Sequence, residues 1–284
     1  MKLLYSTLIC LALAFTSCSK DDAPTTDNKT TLDPTAGITK FQELTNDTHV
    51  IELFSHHGEF NLGYNEVFFR IKNKSTNTYI TDAIVTWMPL MHMTMMKHSC
   101  PKSTPKIATD RAGFYEGYLV FQMAQNETEY WDLKIDYTIA GTSYSVTDKI
   151  EVENSSKKII NTFTGTDGAK YILAYMEPHH PKVAINNATF SLFKMQDMMN
   201  FPIVDNYTIK IDPRMPSMGN HGSPNNVDLT QDATDKFYYG KLSLTMTGYW
   251  KINLQVLNDK NEVLKGEEVT DINPASSLYF ELEF

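Results

Sequence analysis

The chain has 284 residues, with 34 Asp and Glu against 25 Lys and Arg and a formal net charge of −9. That acidic balance, with Lys and Arg nowhere clustered, excludes a nucleic-acid surface, which needs a basic patch to meet phosphates. Beyond its first residues the chain has no apolar run long enough to cross a bilayer as a helix.

Lys2 is followed by an apolar run from Leu3 to Phe15 and then by Thr16, Ser17 and Cys18. A charged start, a short apolar stretch and small residues at its end read as a secretory signal over residues 1–17. The ending on Cys18 resembles a bacterial lipobox, with Phe15 and Ser17 departing from the usual Leu and Gly or Ala. The resemblance implies cleavage before Cys18, lipidation of its thiol and attachment to a membrane through that lipid; an ordinary signal peptide cut nearby is the alternative. Residues 18–39 hold scarcely an apolar side chain and read as a disordered tether. Its opening, Ser19-Lys20-Asp21-Asp22, resembles the acidic stretch that marks surface export in Bacteroidetes lipoproteins. An outer-membrane anchor, on the periplasmic or cell-surface face, is what that likeness implies. With Cys10 in the signal and Cys18 lipidated, Cys100 remains the only free thiol, without a partner for an internal disulfide.

Both halves of the remaining chain read as β. Trp131, Leu133, Ile135, Tyr137 and Ile139 alternate with polar residues, Gly141-Thr142 turns the chain back, and Trp250, Ile252, Leu254 and Val256 repeat the device. No segment carries a helical period of useful length. Short strands at regular spacing predict two tandem antiparallel β-sandwiches of immunoglobulin-like type, over 40–154 and 159–284, parted where Asn154 to Lys158 break the pattern. The two are copies of one unit. Met88-Pro89-Leu90-Met91 lines up with Met215-Pro216-Ser217-Met218, and His98-Ser99-Cys100-Pro101 with His221-Gly222-Ser223-Pro224. Phe114 to Leu119 matches Phe237 to Leu242, Met123 matches Met246 and Trp131 matches Trp250. His56-His57 precedes Asn65 much as His179-His180 precedes Asn187.

Between Trp87 and Pro101 the first copy gathers five methionines, two histidines and a cysteine. Thioether and thiolate sulfur prefer Cu(I), imidazole accepts copper in either oxidation state, and hard ions such as Ca²⁺ or Mg²⁺ find almost nothing to bind. Methionine also fills apolar cores, so an alternating Met stripe can be one buried face of a strand. Pro89 and Pro101, which disfavour a central strand, point instead to display at an edge or loop. The expected ligands are Met91, His92, Met93 and His98, with Met95, Met96 and Cys100 as alternates, and in the second copy Met215, Met218 and His221. Ser223 opposite Cys100 means that a thiol is not essential to a site shared by both copies. His56, His57, His179 and His180 are further metal candidates, although neighbours on a strand point to opposite faces, so one of each pair could join a given site.

Gly63-x-Asn65 before an alternating strand, then Met-Pro-x-Met, Tyr-x-Gly and Trp in the same order in both halves, resembles the YtkA-like family, related to the FixH-like proteins. Membership implies small β-sandwiches outside the cytoplasm that take part in copper handling or respiratory-enzyme maturation. Two copies in place of one, and the extra Met, His and Cys of the first, depart from that pattern.

No nucleophile elbow, phosphate loop or His-Glu-x-x-His motif is present, so the chain is not expected to be an enzyme. The sequence reads as a lipid-anchored protein that holds Cu(I) or delivers it to a recipient cuproenzyme or transporter. The rival reading is a non-metal module that binds a glycan or a protein partner, with its methionines buried.

Overall fold

The computed structural model describes residues 33–284, so the expected signal peptide, Cys18 and most of the tether lie outside the described residues. From Pro34 to Phe284 the chain forms one compact unit. It is all-β, with a single 3₁₀ turn, Pro216–Met218, among the described residues. The described end of the tether is folded, contrary to its composition. Arg111 donates from Nη1 to the carbonyls of Pro34 and Ala36, at 3.0 and 2.8 Å, and Ile38 is buried with Phe54, Phe68, Ala108 and Phe114. A buried isoleucine and a guanidinium that supplies donors to free carbonyls hold the segment down despite its polar neighbours.

Alternation builds the sheets. Along Tyr130–Ile139 the side chains of Trp131, Leu133, Ile135 and Tyr137 are buried, while those between them point away from the core. That strand lies in a four-stranded sheet, in the order Thr142–Ile150, Tyr130–Ile139, Ile84–His92, Lys97–His98. A second sheet runs Thr39–Thr45, His49–Ser55, Gly63–Asn73, Tyr115–Phe121, Lys106–Ile107, with Tyr79–Ile80 beside Gly63–Asn73. Inner faces of both contribute to one core, from Leu53, Val67 and Phe69 on one side to Trp87, Met91 and Leu133 on the other. This is a sandwich-like packing of antiparallel sheets.

The second half repeats the plan in a joined form. Ile160–Thr164, Lys170–Glu177, Ala184–Met195 and Tyr238–Leu244 follow one another, and Val227–Gln231 then bridges to Thr208–Met215, Tyr249–Leu257 and Val263–Lys265. One ten-stranded sheet therefore folds around a separate core that includes Tyr171, Phe190, Ile211, Trp250 and Phe280. The two cores meet through a third cluster, in which Val120 of the first half packs with Ile160, Ile172, Ala174 and Phe193 of the second.

One asparagine-centred hydrogen-bond pattern recurs in both halves. Asn65 accepts from the Asn61 amide and donates to the carbonyls of Asn61 and Gly63. Asn186 does the same with Lys182 and Ala184. The counterpart of Asn65 is thus Asn186, one residue before the position that the sequence alignment chose.

Gly117 and Gly240 are the glycines of the repeated Tyr-x-Gly. A Cβ on Gly117 would stand 2.7 Å from both the Trp87 ring and the Ser103 hydroxyl, and one on Gly240 would stand 2.4 Å from the Val227 carbonyl oxygen. Backbone yields less readily than a side chain. Gly240→Ala is therefore expected to lose more stability than Gly117→Ala, each within about 1–3 kcal/mol for overpacking, as urea unfolding midpoints would show.

Candidate metal centre

The pleat divides the Met-rich strand. Along Ile84–His92 the buried side chains are Val85, Trp87, Pro89 and Met91. Met91 is fully buried, so the expectation that it is displayed on a loop is corrected: the alternating stripe carries it into the core. Met93, on the same face, is partly buried against that core. Thr94 to Met96 form the hairpin tip, closed by the Met93 amide donating to the Met96 carbonyl at 2.9 Å, and there Met95 and Met96 are exposed.

His92 faces the other way. Its ring stacks on Tyr130, with centroids 4.6 Å apart and planes 5° from parallel, and its Nε2 lies 2.5 Å from Asp132 Oδ2. It is a separate pair on the outer face of the sheet, and a strand cannot bring it round to join Met91 and Met93. Cys100 is fully buried. Burial pushes its thiol up to about 12, against the pull of the Lys102 ammonium, so as folded it is a neutral thiol rather than the thiolate that metals bind.

A row of three residues remains. Met91 stands opposite His98 on one side and opposite Trp131 on the other. The His98 and Trp131 rings meet edge to face across the Met91 strand, 5.4 Å between centroids at 88°. His98 donates from Nδ1 to the Ser99 carbonyl at 2.8 Å, which fixes the ring and leaves Nε2 as the nitrogen that could accept a metal. Trp131 donates its indole N–H to the carbonyl of Met123 at 2.9 Å, and the Met123 side chain packs against the same core. His98, Met91 and Met123 thus meet at Trp131, with Met93 against the same core.

The second half has the same row. Met215 pairs with His221 and lies one step beyond the Arg214 and Lys251 pair, as Trp250 does on the neighbouring strand. Trp250 donates its indole N–H to the Met246 carbonyl at 3.0 Å. A Cβ on Gly248 would stand 3.1 Å from the Met215 methyl, so that thioether ends in the Met246 to Gly248 turn. The structural equivalent of Met91 is therefore Met215, that of Pro89 is Pro213, and the shared motif is Pro-x-Met. Met88-Pro89 and Met215-Pro216 align by letters and not by register. Met215 is buried, whereas Met218 at the hairpin tip is exposed, as is His221.

Sequence reasoning matched Met123 with Met246 but assigned neither a role. Their recurrence a few residues ahead of each Trp was the available signal. The Met198 carbonyl accepts the Ser99 amide at 2.8 Å, which brings the Met195 to Asn200 turn of the second half beside His98. Three of the four paired histidines gather elsewhere: His56, His57 and His179 line a groove that none of the Met-run residues reaches.

Compared with known proteins, the chain matches no family model and no curated sequence.

The divided stripe has a measurable consequence. Met91→Ala and Met215→Ala are each expected to cost about 2–5 kcal/mol of stability, as core truncations do, whereas Met95→Ala and Met218→Ala at the tips should stay within about 0.5 kcal/mol. Thermal or urea unfolding of the four variants separates the two groups.

Proposed function

We propose that the protein is an extracytoplasmic, lipid-anchored copper-binding protein built from two immunoglobulin-like sandwich domains of YtkA-like type, each holding one Cu(I) for storage or for delivery to a recipient cuproenzyme or transporter. The observation that carries this reading is the duplicated row: His98, Met91 and Trp131 in one half, His221, Met215 and Trp250 in the other, each with a second methionine, Met123 or Met246, at the tryptophan. Its donor set is soft. Thioethers have no proton to lose and favour Cu(I), one imidazole completes the selection, and no carboxylate belongs to the row to attract a hard ion. An indole wall is a favourable neighbour for a monovalent cation. Met95, Met96 and Met218 at the exposed tips are placed to take copper in or pass it on by ligand exchange.

Burial of Met91 and Met215 is the observation that favours the rival, a module that recognises a glycan or a protein partner and uses its methionines only as core. The two readings part in a Cu(I) titration of the purified protein against a competing chelator. Copper binding predicts uptake of two equivalents, loss of one in His98→Ala and of the other in His221→Ala, and negligible binding of Mg²⁺ or Ca²⁺. A folded protein that takes up no Cu(I) would overturn the copper reading.

A further inference from the structure

The two histidine pairs, one from each repeat, come together. His56 and His57 follow the strand His49–Ser55, and His179 and His180 follow its counterpart Lys170–Glu177. At the seam between the halves the His57 and His179 rings stand 5.5 Å apart, edge to face at 76°. Both belong to a groove of about 850 Å³ that also contains Glu66 and Glu177. Glu177 reaches over its own turn: one carboxylate oxygen accepts the His179 amide at 2.6 Å and the other lies 3.6 Å from His179 Nε2. His56 is already engaged, donating from Nδ1 to the Gly37 carbonyl at 2.8 Å with Nε2 3.1 Å from Glu66.

We propose that His57 and His179, with Glu177, form a second metal site that takes a divalent imidazole-binding ion of the Zn(II) class and pins the two repeats together. Two imidazole nitrogens at about 2.0–2.1 Å from a tetrahedral metal set their ring centroids about 5 Å apart, which is close to the spacing that the two rings already have. Among the described residues no three His, Cys, Asp or Glu side chains form a ready-made metal shell. The remaining ligands are the half-exposed Glu177 carboxylate, after rotation of its side chain, and water. Imidazole with carboxylate is a borderline donor set, unlike the thioether row, and suits Zn(II) or Cu(II) rather than Cu(I). Desolvation at the seam and the neighbouring imidazoles His57, His180 and His56 hold the pKa of His179 below its ordinary value, against the pull of Glu177.

The site shares no residue with the Cu(I) rows, so either assignment can fail without the other. Zn(II) is titrated into the purified protein by calorimetry, with the histidine ring signals followed by NMR. The expected result is one equivalent bound, shifts at His57 and His179, at least a tenfold loss of affinity in His57→Ala and in His179→Ala, a smaller loss in Glu177→Gln, and no change in His98→Ala or His221→Ala. Circular dichroism confirms that each variant is folded. Unchanged Zn(II) affinity in the folded His57→Ala and His179→Ala variants, shifts confined to His56 or His180, or Ca²⁺ bound as tightly as Zn(II) would each overturn the proposal.

Discussion

Each half of the fold is organised by one requirement, that a fully buried indole finds an acceptor for its N–H. Trp131 and Trp250 have no exposed surface, and an unpaired donor at such a depth costs about 1–3 kcal/mol. Both meet the requirement in the same way, by donating to the carbonyl of a methionine on the incoming connection. That bond fixes where the chain turns before the Trp strand, and so sets the methionine beside the tryptophan. Strand pairing does the rest. Once Trp131 is placed, Met91 must stand opposite it and His98 opposite Met91. A soft-donor row is therefore a consequence of core architecture, and the sulfurs nearest the tryptophan are the ones that the core also needs.

Much of this was legible in the residues. Period-two alternation announced the all-β fold, and the repeated Tyr-x-Gly and Trp announced that two stretches share one plan. The glycines of that motif are explained by close approach, to the Trp87 ring at Gly117 and to the Val227 carbonyl at Gly240. What letters could not supply was register. Met-Pro-x-Met occurs in both halves, yet the ladder pairs Pro89 with Leu133 and Pro213 with Ile252, so the matching element is Pro-x-Met. The hairpin that follows is one residue shorter in the second half, and a short 3₁₀ turn closed by Gly219 at φ 64° takes up the difference. A two-residue period also divides neighbours, which is why His92 joins Tyr130 and Asp132 while Met91 enters the core. Composition misjudged the stretch before Thr39 for a related reason, since Ile38 and the Arg111 contacts to Pro34 and Ala36 are tertiary and leave no local trace.

The two halves are not equivalent. The first keeps its two larger sheets separate, whereas in the second Val227–Gln231 bonds to both sides and joins them. Apolar contact between the cores, from Val120 to Ile172 and Phe193, makes the pair a single compact body. Residues that each copy carries for its own fold can then acquire a partner only across the seam. His57 and His179 follow corresponding strands, and it is the packing of one repeat on the other that sets their rings face to edge.

The same seam reaches the first soft-donor row and not the second. His98 is oriented by its bond to the Ser99 carbonyl, and the Ser99 amide is held by the Met198 carbonyl of the other half. A relay of two hydrogen bonds thus runs from the Met195 to Asn200 turn to the imidazole. That turn is itself stiffened by Asp197, which accepts the Met199 and Asn200 amides at 2.7 and 2.9 Å. His221 is exposed, and no such brace reaches it among the described residues. A ligand ring held in one orientation loses less freedom on binding than one that turns freely. On the copper reading proposed above, with equal donors, the first half would be the tighter holder and the second the readier exchanger, the difference coming from second-neighbour bonds rather than from the ligands.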